Sequence, residues 1–177
     1  MGKGIKIDIY NKDPLACKPY NPLAALAAGE LMRHINAARP DIKIEHVGSS
    51  AVPGCDGKGI IDLLIAASEN RFEEVKNYID GLGFQKQASK NNFPEDRPMR
   101  VGAFNYMGTV YNVHVHIIKE GAPEIKDLLN FRDKLRSDEN LVKKYIDEKK
   151  KILASGINDT VDYSTAKTDF IKSVLKD

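Results

Sequence analysis

The sequence lacks tryptophan and carries only two cysteines, Cys17 and Cys55, among its 177 residues. Two cysteines 38 positions apart, with no Cys-x-x-Cys pair, exclude a disulfide framework and a cysteine-only zinc site. No apolar run reaches the roughly 18 residues of a membrane span, and the N-terminal segment has no apolar signal core. These absences predict a soluble, cytoplasmic protein without a membrane partner.

A strong charge of one sign is also missing, because 27 Lys and Arg residues face 25 Asp and Glu residues and the net charge is +2. This balance offers no argument for a nucleic-acid partner. The hydrophobic share of 42% and the charged share of 29% are ordinary for a globular protein. We therefore predict one α/β domain over residues 1–177, with a mixed core over about 1–120 and helices over about 123–177.

Patterning divides the first half of the chain into strands and helices. Alternation of apolar and polar residues predicts strands at 5–9 and 42–47, and a continuous apolar run predicts a buried strand at 59–67. Apolar residues at helical spacing predict a helix over 23–38 and another that Ser68 caps. The order of these elements is typical of a mixed sheet covered by helices.

The second half begins with a polar loop. Residues 88–98 are rich in Asn, Asp and Pro, which predicts a mobile surface loop that covers a site. Two strands follow, with a hairpin turn at 107–108. The rest is helical: Pro123 suits a first helical turn, residues 131–153 form a long amphipathic helix, and a final helix ends at Leu175.

A Gly-Ser-Ser turn, residues 48–50, follows the 42–47 strand. Gly48 lets the backbone approach a ligand, and the amides and hydroxyls of Ser49 and Ser50 can hold phosphate oxygens if a helix begins there. An ordinary helix cap after a strand explains the same three residues. The turn alone therefore leaves both interpretations open.

Asp62 stands inside the apolar run Gly-Ile-Ile-Asp-Leu-Leu-Ile. Such a carboxylate must pair in the interior or face a cavity that favours its charge. A Gly-Ser turn, twelve intervening residues and an acid between apolar residues resemble the opening of the nucleotidyltransferase superfamily, in which the turn grips a triphosphate and strand acids hold magnesium. Those enzymes usually carry a second acid where this chain has Leu64, and one carboxylate is a poor substitute for two.

His114 and His116 lie two residues apart in a predicted strand, so both imidazoles point to one face. A strand histidine is also commonly a satisfied surface or core residue. If this strand lies beside the Asp62 strand, the three side chains, with His46 as a further ligand, can hold a divalent ion. We predict Mg or Mn there, or Zn, Ni or Fe if the histidines ligate.

The string IEHVGSSAVPGCDGKGIID, residues 44–62, resembles the signature of the GrpB family, which reads close to IEHIGSTAVPGLxAKPIID. The HVH of 114–116, the FRDKLR of 131–136 and the Tyr-x-x-x-Lys of 163–167 follow in the family's order. The chain departs from the family in lacking tryptophan and in carrying Lys58-Gly59 where the family has Lys-Pro. The resemblance covers residues 5 to 175.

The resemblance implies a nucleotidyltransferase-like mixed sheet flanked by helices, with a helical C-terminal part. Members are sometimes fused to dephospho-coenzyme A kinase, which implies association with that kinase. The motif positions that the resemblance carries onto this chain are His46, Gly48, Ser49, Ser50, Lys58, Asp62, His114, His116, Arg132, Arg136, Tyr163 and Lys167.

The basic motif residues have two interpretations. Lys58, Arg132 and Lys167 could converge on phosphate or carboxylate oxygens, with the arginine binding in two-pronged fashion. Arg132 could instead be a buried anchor that pairs with Asp133, and Lys167 taken alone is typical of a surface lysine.

Three functions follow from these residues. The leading one is nucleotidyl transfer from a nucleoside triphosphate to an acceptor, with catalysis by Asp62, His114, His116 and Lys58. In that scheme the nucleotide or its phosphates are held by Gly48, Ser49, Ser50, Lys58, Arg132 and Lys167. The first alternative is a non-catalytic module that binds a nucleotide, a coenzyme A precursor or a protein, which Leu64 favours. The second is a metal-dependent phosphohydrolase that uses the histidines.

Overall fold

The computed structural model describes residues 5–88 and 92–176, and its elements form a mixed α/β fold. The strands are β1 (Ile7–Asp8), β2 (Lys43–Val47), β3 (Ile61–Ala67), β4 (Gln85–Lys86), β5 (Met99–Tyr106) and β6 (Thr109–Lys119). The helices are α1 (Pro22–Ala38), α2 (Phe72–Gly81), α3 (Pro123–Ser137), α4 (Glu139–Ala154), α5 (Thr160–Ala166) and α6 (Thr168–Lys176). Short 3₁₀ helices span Ser49–Ala51 and Glu69–Arg71. The predicted mixed sheet flanked by helices is confirmed.

The six strands form one sheet in the order β1-β5-β6-β3-β2, with β4 also paired to β5. β3 and β6 run parallel, and the other pairs are antiparallel. The predicted β5–β6 hairpin is confirmed, with φ of 51° at Met107 and 84° at Gly108. Positive φ at both central residues matches the twist of a two-residue hairpin and explains the glycine. The parallel register sets Asp62 beside His114.

One face of the sheet is buried under α1 and α2. Its central strands β3 and β6 present aliphatic residues to this face, because alternate side chains of a strand point the same way. These residues belong to one core cluster with Leu31 and Ile35 of α1 and Val75 and Ile79 of α2. They are Ile61, Leu63, Ile65, Val113, Val115 and Ile117. The opposite face of the same two strands is therefore left for Asp62 and the histidines.

Helix α3 covers only part of that opposite face. Leu64 and Ile118 are buried there, together with Val47 of β2, against Ile125 and Leu128 of α3. The sheet thus has an apolar patch under the helix and a polar patch beyond it. The polar patch stays partly open to solvent. It contains Asp62, His114 and His116, which we call the candidate metal cluster.

The helix predicted over 131–153 is wrong in one respect, because the chain breaks at Asp138 into α3 and α4. The Asp138 carboxylate accepts hydrogen bonds from the backbone N–H groups of Asn140 and Leu141, at 2.8 and 3.1 Å. It therefore acts as an N-cap and starts a new helix. The break lets α4 fold back so that Tyr145 packs against Val52 of the loop after the 3₁₀ helix. Among residues 5–88 and 92–176 no helix is long and apolar enough to cross a membrane.

Candidate functional site

Asp62, His114 and His116 meet at the open patch of the sheet. Asp62 Oδ1 lies 3.3 Å from His114 Nδ1 and 3.6 Å from His116 Nε2. The exposed fractions of the three side chains are 25%, 13% and 21%, so solvent reaches all of them. The register of β3 and β6 produces this arrangement, since it sets Asp62 beside His114 and Leu64 beside His116. The predicted convergence of acid and imidazoles is thus observed.

The charge of Asp62 is stabilised by its surroundings. Burial by itself raises the pKa of the carboxyl group, but the adjacent imidazoles of His114 and His116 outweigh burial and hold the pKa well below its usual range. The carboxylate therefore stays ionised at any physiological pH, which is the state in which it can ligate a cation.

Gly48 brings the Gly-Ser-Ser turn directly against this carboxylate. Its φ is 74°, and a Cβ atom at this position would lie 2.5 Å from Asp62 Oδ2. Both the backbone conformation and the close approach require glycine. The turn continues as the 3₁₀ helix Ser49–Ala51, which is too short to supply the helix N-terminus that the sequence suggested for phosphate. Of the predicted phosphate contacts in this turn, the serine side chains are what remains.

His46 is separated from the acid and the other two histidines. It pairs with Leu63 in the β2–β3 register, whereas Val47 pairs with Asp62, and consecutive strand residues alternate between faces. Its Nε2 lies 2.9 Å from Ser50 Oγ, and burial lowers its pKa to about 4. In the described part of the chain, His46 is not among the ligand atoms that cluster around Asp62. The structure therefore places His46 with Ser50, as a neutral partner of that hydroxyl.

Leu64 occupies the place of the second acid, and it is sealed. It is 1% exposed and belongs to the apolar cluster under α3. A carboxylate that stayed unpaired among this hydrocarbon would cost several kcal/mol. The sealed leucine therefore removes the usual two-carboxylate, two-metal arrangement from this site.

Lys149 is a candidate residue that the sequence analysis missed. It is 1% exposed and reaches from α4 to the turn, where Nζ donates to Ser49 Oγ at 3.0 Å and to Cys55 Sγ at 3.4 Å. Nζ also donates to the carbonyl oxygen of Asp56. Burial lowers the pKa of Lys149. A lysine on the buried stripe of α4, at helical spacing from Val142, Tyr145 and Ile152, was the available signal.

The hydroxyl of Ser49 has two partners on α4. Lys149 Nζ donates to it at 3.0 Å. Its contact with the Tyr145 hydroxyl favours the ionised phenol and so opposes the effect of burial, which raises the pKa of Tyr145. Ser49 is only half-buried, so its hydroxyl is accessible from solvent.

Lys58 and Lys167 lie near one aromatic ring. Their Nζ atoms are 5.9 and 4.5 Å from the ring centroid of Tyr163, which is 1% exposed. Burial, followed by the positive charges of Lys58 and Lys149, lowers the pKa of Lys167 to about 8. Within the described residues, no ion pair joins either lysine to a carboxylate. We call Lys58, Lys149 and Lys167 the lysine cluster.

Arg132 has a different environment from the lysine cluster. Its guanidinium donates to Glu45 Oε2 at 2.7 Å, to the His46 carbonyl at 3.0 Å and to Asp133 Oδ1 at 2.8 Å. Arg136 donates to the Ala51 carbonyl at 2.8 Å. These contacts fasten α3 to β2 and to the turn. The structure therefore supports the anchor interpretation of Arg132, and the predicted convergence with the lysines on phosphate is not seen.

Two aromatic residues border the acid and the histidines. The Tyr10 hydroxyl is 3.2 Å from His114 Nε2, and burial raises the pKa of Tyr10. The ring of Phe93 stands edge-on to His116 at 5.7 Å between centroids. Phe93 belongs to the loop predicted to cover a site, of which residues 89–91 lie outside the described residues. The described part of that loop does contact the site.

The donor atoms of Asp62, His114 and His116 fit a divalent ion. Ligand atoms of all three lie within 4.8 Å of one another. Atoms held about 2.1 Å from a tetrahedral ion are about 3.4 Å apart, close to the two distances from Asp62 Oδ1. Two imidazole nitrogens and one oxygen suit zinc, manganese, iron or nickel better than magnesium, which prefers oxygen ligands.

Comparison with solved structures shows that this chain shares its fold with proteins of known structure. The crystal structure of the conserved protein GrpB from Enterococcus faecalis matches 91% of this chain and 95% of its own, with a TM-score of 0.70 and 24% identity. A crystal structure of the Cid1 poly(U) polymerase matches 90% of this chain, with a TM-score of 0.53 and 14% identity. This chain covers 49% of the Cid1 chain.

The family is shown by sequence. The family model described as GrpB protein matches residues 14–177, so the chain belongs to the GrpB family. A UPF0157 protein of Streptomyces coelicolor is 32% identical over 142 residues, which cover 80% of this chain and 72% of that protein. A UPF0157 protein of Vibrio cholerae is 30% identical over 141 residues, covering 80% and 70%. The resemblance drawn from the 44–62 motif is confirmed.

Proposed function

We propose that this chain is a metal-dependent nucleotidyltransferase that acts with a nucleoside triphosphate on an acceptor. One observation carries the proposal: the turn at residues 48–50 contacts both the candidate metal cluster and the lysine cluster. Gly48 packs against the Asp62 carboxylate, and the next residue, Ser49, is bonded to Lys149. The candidate metal cluster and the lysine cluster are joined by this turn. Together they suit a triphosphate, which needs a cation near the reacting phosphorus and positive charge along its other phosphates.

The roles of the residues follow from their environments. Asp62, His114 and His116 would hold the divalent ion, which when bound supplies charge stabilisation and polarises a phosphate oxygen. The half-buried hydroxyl of Ser49 would contact phosphate, and Lys58 and Lys167 would offset developing negative charge. The lysines are available for this work because no carboxylate in the described residues neutralises them.

The fold of Cid1, described with Mg and 3'-dATP bound, supports the proposal at the level of architecture. The chain departs from a two-carboxylate site because Leu64 is buried under α3. The imidazoles of His114 and His116 stand beside Asp62 and would share the ion with it. We therefore expect activity to require manganese or a nitrogen-binding transition ion more than magnesium.

Incubation with the four α-labelled nucleoside triphosphates tests the proposal, with Mg²⁺, Mn²⁺ and Zn²⁺ added separately and a panel of acceptors. We expect pyrophosphate release and a labelled product from the wild type, and a loss of at least about 100-fold in Asp62→Asn. Asp127→Asn, an exposed acid on α3, is the matched control and should retain activity. Absence of both product and calorimetric nucleotide binding with every ion would contradict the proposal.

The buried Leu64 favours two other functions, because the site has one carboxylate and nucleotidyl transfer with two metal ions usually uses two. Hydrolysis of a phosphate ester needs only one activated water. Release of inorganic phosphate without pyrophosphate in the same incubations would identify a phosphohydrolase. Nucleotide binding without turnover under any ion would identify a binding module for a nucleotide or coenzyme A precursor.

A further inference from the structure

Tyr10 contacts His114 on the side of the ring that faces away from the acid. Its hydroxyl lies 3.2 Å from His114 Nε2, and the two ring centroids are 5.5 Å apart. The other ring nitrogen, Nδ1, is 3.3 Å from Asp62 Oδ1. The imidazole is thus held between a phenol and a carboxylate, with one nitrogen assigned to each.

His116 is oriented the other way round. Its Nε2, not its Nδ1, is the nitrogen that lies near Asp62 Oδ1, at 3.6 Å. A ligating nitrogen must offer its lone pair, so the second nitrogen of the same ring carries the proton and donates it to a partner. For His114 that partner is available in the Tyr10 oxygen.

We infer that Tyr10 is a positioning residue that fixes His114 for ligation through Nδ1, giving a site of mixed ring nitrogens with Nε2 from His116. The inference rests on the metal site of the proposed function and adds a residue that the GrpB motif positions do not include. The Nε2–H of His114 donates to the Tyr10 oxygen, which holds the tautomer and the ring angle.

The segment that carries Tyr10 is itself held in place on both sides. The backbone N–H of Tyr10 donates to Gln85 Oε1 at 3.0 Å. Asn112 Nδ2, from the strand of the histidines, donates to the Asn11 carbonyl at 2.7 Å. These bonds tie the segment to β4 and β6, so the hydroxyl of Tyr10 has a defined position over His114.

Zinc affinity, measured by competition with a chromophoric chelator, tests the inference. Tyr10→Phe deletes only the hydroxyl, and we expect it to weaken zinc binding about 10- to 100-fold, as loss of a histidine's hydrogen-bond partner does at metal sites. Tyr20→Phe makes the same deletion in the same segment and should bind zinc like the wild type. Equal affinity of Tyr10→Phe and wild type would overturn the inference.

A spectroscopic readout separates positioning from general stability. In protein labelled with ¹⁵N-histidine, zinc should shift Nδ1 of His114 and leave its Nε2 protonated, while Nε2 of His116 shifts. Ligation of His114 through Nε2 in the wild type would overturn the inference even if Tyr10→Phe binds weakly.

The His114→Ala variant separates this inference from the proposed function. If His114→Ala loses zinc and Tyr10→Phe does not, only the role of Tyr10 fails. If wild type and His114→Ala bind zinc equally poorly, the metal site fails, and both the inference and the metal-dependent mechanism fall together.

Discussion

The buried arginines and the lysine cluster differ in what neutralises them. Arg100, 1% exposed, donates to both carboxylate oxygens of Asp80 and of Glu95, at 2.5 to 3.3 Å. Lys149 is equally buried, yet its donors reach a hydroxyl, a thiol and a carbonyl. The arginine is neutralised by two acids within the protein. The lysine has no acidic partner within ion-pair distance in the described residues.

This difference separates structure from function among basic residues of similar burial. A guanidinium with five donors is well suited to fasten elements through paired carboxylates, as Arg132 also does. An ammonium group buried without a counter-charge costs free energy, and an anionic ligand would recover that cost. The lysine cluster is therefore where we expect a ligand's negative charge, and the arginines are where we expect stability.

The largest expected effect is on stability and comes from Arg100→Ala. Loss of the guanidinium leaves Asp80 and Glu95 facing one another without their shared cation and opens a cavity between β5 and α2. We expect the free energy of unfolding in urea to fall by about 3 kcal/mol. Zinc and nucleotide affinity of the folded protein should stay at the wild-type value, and a parallel loss of affinity would mean that Arg100 also supports the ligand site.

Lys149→Met should show the opposite pattern. Methionine fills similar space without the buried charge, so we expect the free energy of unfolding to change by no more than about 1 kcal/mol. Calorimetric affinity for a nucleoside triphosphate should fall about tenfold, since Ser49 loses its charged partner. Lys151→Met, exposed on the same helix, serves as the control. A clear fall in the free energy of unfolding of Lys149→Met, with unchanged nucleotide affinity, would make Lys149 a structural residue.

Lys167 should give binding and stability opposite dependences on pH. Its pKa is about 8 in the folded chain, against an ordinary value of 10.5 for a solvated lysine, so its charge is lost in the fold as pH rises through 8. We expect triphosphate affinity to fall about three- to tenfold from pH 7 to 9, and Lys167→Arg to remove this change.

The unfolded chain binds more protons at Lys167 than the folded chain between pH 8 and 10.5. The free energy of unfolding of the wild type should therefore rise over this window relative to Lys167→Met. Curves of the two proteins that stay parallel from pH 7 to 10.5 would mean that the lysine is solvated and ordinary.

The smallest effect is expected for an exposed arginine. Arg33 pairs with Glu30 at 2.5 Å, but its side chain is 71% exposed. Arg33→Ala should leave the urea midpoint and the nucleotide affinity unchanged within error, because exposed ion pairs contribute little. A clear loss of stability here would mean that residue type, and not burial between two acids, accounts for the effect of Arg100.

The sequence predicted the parts of the site that depend on local pattern. Alternation along residues 113–117 assigned His114 and His116 to one face, and an acid in an apolar run marked Asp62. These inferences need only the period of a strand. The sequence did not predict the pairing of β3 with β6. That pairing places Asp62 next to the two histidines on one face of the sheet.

The parts that were missed depend on partners far away in the chain. Arg132 could not be assigned from sequence because its carboxylate partner Glu45 is 87 positions distant. Lys149 resembled its exposed neighbours on a lysine-rich helix until the turn around Ser49 supplied acceptors 100 positions away. The face on which His46 lies could not be predicted, because it depends on the register between β2 and β3. A one-position change in register moves every side chain of a strand to the opposite face of the sheet.

Because β3 and β6 pair in parallel, the candidate metal cluster forms only when these two strands have paired in the native register. Asp62 and His114 stand 52 positions apart, and no local interaction brings them together. If β6 slipped by a single residue, valines would replace both imidazoles on the solvent side and the acid would stand alone. Zinc uptake during refolding would therefore time the moment at which these distant segments lock into their native alignment.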